Sequence, residues 1–346
     1  MSVLSGISDF FGLDIGSTTV RLVHLKSSGS SKVLAKYAYL PLEGNISLSD
    51  APADRAKLAA AIKQLVEQAQ IGTKNVAVGL PSARVFTTVA DIERLNAAEL
   101  AKAIKFQAPS LIPTPLAESK IDWTLLGDSP ADKTKVEILL SSVVNKYVEE
   151  RLDLLEGIGL NVIAFEPDNL AMVRALLPST VTGTQIVLDI GAQNTDLVAV
   201  LNGSPRLTRA IPVGTEALFK VAAQNLNVDE KQAEQFVLRF GLSQDKLDGQ
   251  VVRAISGTID NLVSEVEKSI KFFNARYTDA KVDRIVVTGG ASVIPEFPVY
   301  LANKFGVNVE IGNAWHNVTY AKERQNELAA ISNQFGVAVG LAERKV

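Results

Sequence analysis

The motif Asp-Ile-Gly occurs twice in this chain, at residues 14–16 and at residues 189–191. In both places an apolar run enters the motif, a small polar cluster follows and a second apolar run leaves it, as in FFGLDIGSTTVRLVHLK and IVLDIGAQNTDLVAVLNG. This pattern predicts a strand, a tight turn and a second strand. The copies are 189 − 14 = 175 residues apart in a chain of 346. We therefore interpret the hairpins as an internal repeat and expect two related halves, each built around one hairpin.

Composition excludes several classes of function. The chain carries 35 Lys and Arg against 38 Asp and Glu, and its basic residues form no dense block, so we do not expect nucleic acid as a partner. It has no cysteine and two histidines, which excludes disulfides, thiolate catalysis and zinc sites built from Cys and His. With 47% hydrophobic residues, a chain of this length can bury the cores of about two domains.

Nothing in the sequence predicts direct insertion into a membrane. The N-terminal stretch MSVLSGISDFFGLDIG has no basic region and no cleavage-like site, so no signal peptide is expected. No apolar stretch reaches the roughly 20 residues that span a bilayer, and the tail GLAERKV forms no amphipathic helix. We expect a cytoplasmic protein that reaches the membrane through a partner.

Changes of pattern divide the chain into five segments. Residues 1–83 carry the first hairpin, a third strand, a helix and a buried strand, and residues 181–312 begin with the second hairpin. Residues 84–165 have the predicted order β-α-β-β-α, which we interpret as a small inserted α+β domain. Residues 166–180 are expected to connect the halves, and residues 313–346 are expected to return to the first half.

Two predicted helices carry signals at their ends. In the first half, Asp54 is placed to cap the helix RAKLAAAIKQLVEQAQ, and Gly72 is expected to stop it. In the inserted unit, Asn96 and Glu99 have the spacing of a capping box at the start of NAAELAKAIKFQA. Pro109, Pro113 and Pro115 are then expected to break the chain.

The turns after the two motifs carry residues that suit phosphate binding. Gly16 and Gly191 let the backbone approach a ligand closely, and the N–H groups of such turns can surround phosphate oxygens. Asp14 and Asp189 each precede one of these glycines and would hold the waters of a Mg²⁺ ion, which keeps several waters and takes few carboxylates. We therefore expect a nucleotide phosphate chain between the two hairpins.

A third, glycine-rich turn supports the same interpretation. Gly289 and Gly290 follow a predicted strand and precede a helix, so that a nucleoside can lie against them. A single Asp-Gly hairpin is more often a plain structural turn. Two matched hairpins, with a glycine turn 289 − 191 = 98 residues after the second motif, favour a ligand site instead.

These three turns resemble loops of the superfamily that contains actin, sugar kinases and the heat-shock chaperone ATPase. The stretch LDIGSTTVR is similar to its first phosphate loop, LDIGAQNTDL to its second and VVTGGAS to its adenosine loop. The inserted unit, with LNAAELAKAIKFQAPSLIPTPLAESKIDWTLLG and EILLSSVVNKYVEERLDLLEGIGL, resembles that of the type IV pilus assembly protein PilM family, relatives of the division protein FtsA. The resemblance covers nearly the whole chain. It implies an α/β fold of duplicated actin-like (ribonuclease-H-like) domains with an inserted small α+β domain.

The resemblance also implies which residues bind ATP and Mg²⁺. The nucleotide-binding positions would be Asp14, Gly16, Ser17, Thr18, Thr19, Arg21, Asp189, Gly191, Ala192, Thr195, Gly214, Glu234, Gly289, Gly290 and Ala291. Of these, Asp14 and Asp189 would hold the metal through water. Three positions depart from the family pattern: Arg21 replaces a usual lysine, Val237 replaces a second expected lysine, and Glu296 replaces a usual glycine.

Hydrolysis has weaker support in the sequence than binding. Phosphoryl transfer to water needs a residue that orients the attacking water. Glu166, in FEPDNLAM where the chain passes between the halves, and Gln193, beside the second turn, are the nearest candidates for this catalytic role. A capping or surface role is the preferred interpretation of Glu166. We therefore expect at most a slow ATPase.

Three functional hypotheses follow. The inserted unit favours an ATP-binding cytoplasmic scaffold of a type IV pilus or related secretion machine. Its partner would be the cytoplasmic tail of a single-span, PilN-like inner-membrane protein, which would hold it at the inner face of the cell membrane. Leu111 and Ile112, in the apolar segment SLIPTPL, are the predicted tail-binding residues. The alternatives are an active small-molecule kinase or ATPase, which the loops permit, and an FtsA-like division protein, which the missing C-terminal amphipathic helix disfavours. Self-association is left open.

Overall fold

The computed structural model describes residues 9–29, 31–178 and 180–345. Its strands are β1 (Phe11–Ile15), β2 (Thr19–Ser28), β3 (Ser31–Pro41), β4 (Asn75–Leu80), β5 (Val85–Glu93), β6 (Ser119–Asp128), β7 (Lys135–Val144), β8 (Asn161–Pro167), β9 (Thr184–Ile190), β10 (Thr195–Leu201), β11 (Ser204–Ile211), β12 (Val282–Gly289), β13 (Asn308–Ile311) and β14 (Val318–Thr319). Its helices are α1 (Pro52–Gln68), α2 (Ala97–Leu111), α3 (Asn145–Gly157), α4 (Asp168–Leu176), α5 (Thr215–Leu226), α6 (Glu230–Phe240), α7 (Gln250–Arg276), α8 (Phe297–Phe305), α9 (Gln325–Ile331) and α10 (Gly336–Ala342). Within these ranges, no helix is both long enough and apolar enough to cross a membrane.

Two sheets are built on one plan. The first has the order β14-β3-β2-β1-β4-β8, and the second has the order β11-β10-β9-β12-β13. In both, the Asp-Ile-Gly hairpin is antiparallel and a third strand extends it, while a later strand, β4 or β12, lies parallel to the motif strand. The duplication predicted from the repeated motif is therefore confirmed.

Each half has an apolar core of its own, and a third apolar core lies between the two sheets. The outer face of the first sheet packs on α1 and α3, and the outer face of the second sheet packs on α5 to α8. Between the sheets lie α4 and α10, whose apolar residues share one core with strands of both sheets. The motif strands β1 and β9 are buried on both faces, which explains their continuous apolar runs.

The inserted unit has a sheet and a core of its own. Strands β5, β7 and β6 pair antiparallel in that order, and α2 buries Leu100 and Ile104 against them. However, β8 pairs with β4 in the first sheet, and Leu155 of α3 lies in the first-half core. We therefore propose that the inserted unit ends after β7 rather than at residue 165, because α3 buries its apolar face against α1 and β8.

The helix ends differ from the sequence prediction in two places. Helix α1 begins with Pro52 at its first position, so Asp54 lies in the first turn and does not cap it, and the helix ends before Gly72. Asn96 caps α2 by accepting hydrogen bonds from the N–H groups of the second and third helical residues, as predicted. Pro109 does not end α2, which continues to Leu111, since the burial of side chains on its inner face holds the last turn.

The closest approach of α4 and α10 gives a test of this packing. A Cβ atom added at Gly340 of α10 would overlap the carbonyl group of Ala171 in α4. We expect Gly340→Ala to lower the free energy of unfolding by about 1 to 3 kcal/mol, as overpacking does in other cores. Gly257→Ala is the matched control, because Gly257 is exposed on α7 and a Cβ there meets open space.

In urea unfolding, the control should be neutral or more stable by about 0.5 to 1 kcal/mol, because alanine is the better helix former. Equal stability of the two variants would contradict the close helix contact.

Candidate functional site

Both Asp-Ile-Gly hairpins end in the same four-residue turn. The Gly16 N–H donates to the Thr19 carbonyl oxygen at 3.1 Å, and the Gly191 N–H donates to the Asn194 carbonyl oxygen at 2.9 Å. The residues inside the two turns are at least partly exposed: Ser17, Thr18, Ala192 and Gln193. The predicted pair of hairpin turns is therefore present with matching backbone geometry, and phosphate binding by these turns stays a prediction.

Helix α5 braces the second turn. Gly214 immediately precedes α5 and lies so close to the Ala192 carbonyl group that a side chain there would overlap it. The Thr215 N–H donates to the Gly191 carbonyl oxygen at 3.0 Å, and the Glu216 N–H donates to the Ala192 carbonyl oxygen at 2.9 Å. This places the N-terminus of a helix, which favours negative charge, beside the turn.

The third glycine turn lies directly against the second hairpin. Gly289 has a φ of 80°, and a Cβ atom there would overlap the Asp189 carboxylate. Asn333, buried just before α10, donates from Nδ2 to the Gly289 carbonyl oxygen at 2.9 Å and accepts from the Thr288 hydroxyl at 2.7 Å. The sequence gives no local sign of this role for Asn333, because its partners are more than 40 residues away.

Four aspartates influence one another in the cleft between the halves. Asp14 lies on β1, Asp189 on β9 and Asp196 on β10, while Asp168 begins α4. Burial and the charges of Asp196 and Asp14 raise the pKa of Asp189 to about 7, and burial raises the pKa of Asp196 to about 6. Burial, followed by the charges of the other three aspartates, raises the pKa of Asp168 well above its usual value. A cation in the cleft would relieve this repulsion.

The two hairpins differ in their charges. Asp14 faces Arg21 across the first hairpin, whereas Asp189 faces Asp196 across the second. Arg21 Nη1 lies 3.6 Å from Asp14 Oδ2 and opposes the rise in the pKa of Asp14 that burial causes. Like charges directly opposite one another destabilise a hairpin. Only the first hairpin therefore carries its own countercharge.

The cleft fits a hydrated Mg²⁺ ion better than a directly ligated one. Asp168 Oδ1 is buried without a hydrogen-bond partner among the described residues. Among the described residues, no group of three acidic or histidine side chains is arranged to bind one metal ion directly. Because Mg²⁺ retains several waters and takes few carboxylates, Asp14, Asp168 and Asp189 would hold it through water. The ion would supply positive charge to the phosphate oxygens.

Several positions singled out by the resemblance have surroundings that differ from those of a ligand-binding side chain. Thr195 is fully buried and donates its hydroxyl to the Val213 carbonyl oxygen at 2.7 Å, so its side chain supports the sheet. Glu234 is exposed on α6, and Val237 is fully buried in the second-half core. Glu296 has a φ of 63°, which explains why a glycine is usual at this position.

The two catalytic candidates have different surroundings. The buried carboxylate of Glu166 is held by both terminal nitrogens of Arg174 and, at 3.0 Å, by Arg344 Nη1. This pairing supports the structural interpretation of Glu166. Gln193 lies half-buried in the second turn, so its catalytic role stays a prediction. Asp168, two residues after Glu166, joins the aspartate cluster instead. No pattern in the sequence indicated this role for Asp168.

The predicted tail-binding pair is poorly placed for that role. Ile112 is 7% exposed and belongs to the core of the inserted unit, and Leu111 packs against the same core. The assignment of tail binding to Leu111 and Ile112 stays a prediction that this burial disfavours, because the end of α2 turns Ile112 inward. Phe106, on the same helix, is by contrast 88% exposed.

A groove of about 1080 Å³ lies between the inserted unit and the rest of the protein. We call it the insert groove. Seven consecutive residues of β6, 120–126, line it together with part of β7. Residues of β8 and α4, the segment 203–205 and the end of the chain at 343–345 also line it. Within the described sheet β6 is an edge strand, and Leu125 in the groove is 52% exposed.

The raised pKa of Asp189 predicts how pH affects stability. In the unfolded chain this carboxyl ionises near pH 3.8, but in the folded protein it ionises near pH 7. Between about pH 4 and pH 7 the unfolded chain has released this proton and the folded protein still holds it. The free energy of unfolding therefore falls as the pH rises through this range. We expect Asp189→Asn to be more stable than the wild type at pH 8 by about 1 to 2 kcal/mol, a value reduced for the partial exposure of the cleft.

Urea unfolding at pH 8, 6.5 and 5, without added metal, measures this difference. The difference should narrow as the pH falls. A difference that stays constant from pH 8 to pH 5 would show that the Asp189 charge is not the cause.

Comparisons with known proteins agree with the overall fold. A chain of the solved PilM–PilN type IV pilus biogenesis complex is 25% identical, with a TM-score of 0.82, and the match covers 96% of this chain and 97% of that one. The ethanolamine utilization protein EutJ from Carboxydothermus hydrogenoformans is 16% identical, with a TM-score of 0.56, over 96% of this chain and 88% of that one. MreB5 of Spiroplasma citri bound to ADP is 12% identical, with a TM-score of 0.57, over 96% and 95%.

These likenesses confirm the predicted actin-like α/β fold. A family profile described as type IV pilus assembly protein PilM matches residues 12–346, which is nearly the whole chain. The chain therefore belongs to the type IV pilus assembly protein PilM family.

Proposed function

We propose that this chain is a nucleotide-binding scaffold of a type IV pilus machine. It binds Mg²⁺-ATP in the cleft between its halves and holds the cytoplasmic tail of a PilN-type membrane protein in the insert groove. The observation that carries the proposal is the likeness, over 96% of the chain, to a chain of the PilM–PilN complex. The partner would keep the chain at the inner face of the cell membrane.

The cleft residues support the nucleotide part of the proposal. The two matched turns present backbone N–H groups and small side chains, and the aspartate cluster favours a hydrated cation beside the phosphates. The third turn is fixed by Asn333 and offers the exposed Gly290 to the nucleoside, whereas the predicted Ala291 is fully buried in the second-half core. An actin-like neighbour with the same fold, MreB5, was solved bound to ADP.

ATP in this scaffold acts chiefly as a ligand that fixes the conformation. Glu166 is paired with two arginines, which leaves Gln193 as the candidate to orient the attacking water. We expect turnover on the order of one per minute or less, well below the roughly 1 to 100 per second of kinases. Rapid phosphate release would favour the alternative of an active ATPase.

The insert groove suits an extended peptide. Its lining by consecutive residues of the edge strand β6 leaves backbone groups available for strand pairing, while partly exposed side chains such as Trp123 and Leu125 form apolar contacts. Main-chain pairing gives affinity in this binding mode, and side-chain pockets give specificity. The groove therefore replaces the segment SLIPTPL as the proposed tail site.

The nucleotide proposal predicts a specific gain of stability. At a concentration one hundred times Kd, Mg²⁺-ATP should stabilise the folded protein by about 2.7 kcal/mol, because it binds only the folded state. Asp14→Ala and Asp189→Ala should lose this shift. Asp153→Ala, a substitution at an exposed position of α3, should keep it.

Thermal unfolding with and without Mg²⁺-ATP measures the shift for each variant. A wild-type protein that is well folded, free of nucleotide and unaffected by millimolar Mg²⁺-ATP would contradict the proposal.

The partner proposal predicts which surface holds the tail. Leu125→Glu should weaken binding of a labelled peptide, made with the cytoplasmic-tail sequence of the PilN-type protein from the same organism, by about tenfold or more. The reason is that a buried charge costs at least about 1.4 kcal/mol. Phe106→Glu is the matched control, since it adds the same charge to an exposed apolar residue of the inserted unit outside the groove.

Fluorescence anisotropy gives the affinity of each variant. If Phe106→Glu weakens binding and Leu125→Glu does not, the tail lies on α2 and the groove assignment is wrong.

A further inference from the structure

Helices α7 and α8 of the second half border a second groove. It has a volume of about 440 Å³, and the segment that follows α6 forms its third side. The Leu242 N–H donates to the Pro295 carbonyl oxygen at 2.9 Å, which holds that segment against the start of α8. The Tyr300 hydroxyl of α8 donates to Asp260 Oδ1 of α7 at 2.7 Å. We call this cavity the α7–α8 groove.

The apolar part of the α7–α8 groove is partly open to solvent. Val252 and Ile259 of α7 line it and are buried, whereas Val299 of α8, which also lines it, is 53% exposed. Its volume falls within the roughly 300 to 1,000 Å³ of typical binding clefts. The groove can therefore receive a large apolar side chain from another molecule, which would bury this exposed surface.

The charge around the α7–α8 groove has one sign. Asp245, Asp260 and Glu296 line it, and among the described residues that line it none is a lysine or an arginine. Asp245 pairs with Lys246 at 3.1 Å, but Asp260 and Glu296 have no ion-pair partner within the described parts of the chain. A cleft lined by one sign of charge attracts groups of the opposite sign. The occupant should therefore combine an apolar side chain with positive charge.

The inserted unit of the same chain presents this combination. Helix α2 buries Leu100 and Ile104 and turns Lys102, Lys105 and Phe106 outward, where all three are exposed. Lys102 and Phe106 are one helical turn apart, so they lie on the same side of the helix. Among the described residues, Phe106 has the most exposed large apolar side chain, at 88%. We call these three outward residues the α2 ridge.

A second exposed phenylalanine complements the groove less well. Phe272 of α7 is 70% exposed and follows Lys268 and Lys271 in the sequence. However, Lys268 Nζ donates to Glu265 Oε1 at 2.7 Å, so its charge already has a partner. The α2 ridge is therefore the better complement to the free carboxylates of the groove.

We propose that the α2 ridge of one molecule docks in the α7–α8 groove of a second copy of this chain. Phe106 enters the apolar part of the groove, and Lys102 and Lys105 meet the carboxylates of Asp260 and Glu296. The ridge and the groove lie on different units of the chain. The contact therefore joins unlike surfaces, and it generates either closed rings or open head-to-tail assemblies.

This contact leaves the proposed tail site uncovered. None of the ridge residues and none of the residues of the α7–α8 groove lines the insert groove. The inference does not rest on the proposed function, because the contact needs neither nucleotide nor a tail peptide. It should weaken as the salt concentration rises, since ion pairs at the rim of a small interface are screened.

Sedimentation velocity of the full chain at low salt tests the contact. Over about 1 to 300 μM protein, the mean mass of the wild type should rise above that of a monomer. Phe106→Glu should weaken this association by about tenfold or more, because it places a charge in the apolar part of an acidic groove. Phe272→Glu is the matched control, since it makes the same change at an exposed phenylalanine outside the ridge and the groove. It should associate like the wild type.

Reversal of the charges tests which surfaces meet. One variant combines Lys102→Glu with Lys105→Glu, and the other combines Asp260→Lys with Glu296→Lys. Each variant alone should stay monomeric, because its ridge and its groove then carry the same sign of charge. An equimolar mixture should associate again, since the ridge of each variant complements the groove of the other.

Three outcomes would overturn the proposal, with circular dichroism used to confirm that every variant is folded. The first is a wild-type protein that stays monomeric throughout this range, which would assign the groove to a different, basic partner protein. The second is association that Phe106→Glu leaves unchanged, or that Phe272→Glu weakens as much. The third is a mixture of the charge-reversed variants that stays monomeric.

Discussion

The packing of α10 against α4 between the two sheets is the contact on which both candidate sites depend. The helices approach so closely at Gly340 that no side chain fits there. The start of α4 carries Asp168 into the aspartate cluster, and the turn before α10 carries Asn333 to the third glycine turn. Arg174, in the last turn of α4, and Arg344, just after the end of α10, both pair with Glu166 at the insert groove. One central layer therefore positions groups at both sites.

The duplicated hairpins have evolved different electrostatics on one backbone plan. The first hairpin pairs an aspartate with an arginine, and the second pairs two aspartates. The resulting excess of negative charge raises the pKa values of buried carboxyls and costs stability in the empty protein. Binding of a cation with a nucleotide would offset that cost, which is a physical reason for a cleft of this composition to favour a metal-bound ligand over an apolar one.

The inserted unit derives its position from both halves. Its own core is small, and its charged side chains find their partners on β11 and at the end of α7. The groove beside it is consequently lined by residues of three structural units, the inserted unit and the two halves, rather than by residues of one unit. A peptide in that groove would therefore contact side chains from the inserted unit and from both halves.

Sequence alone determined the local features: both hairpins with their glycine turns, the cap at Asn96 and the general order of the strands, because periodicity and turn chemistry act between near neighbours. It also placed Asp14 and Asp189, since each precedes a glycine that the turn requires. Only the tertiary structure decided that Asp168 and Asn333 belong to the cleft and that Ile112 faces inward. Their partners lie tens to hundreds of residues away in the chain, so packing between the sheets brings them together, and no local pattern records which distant groups will meet.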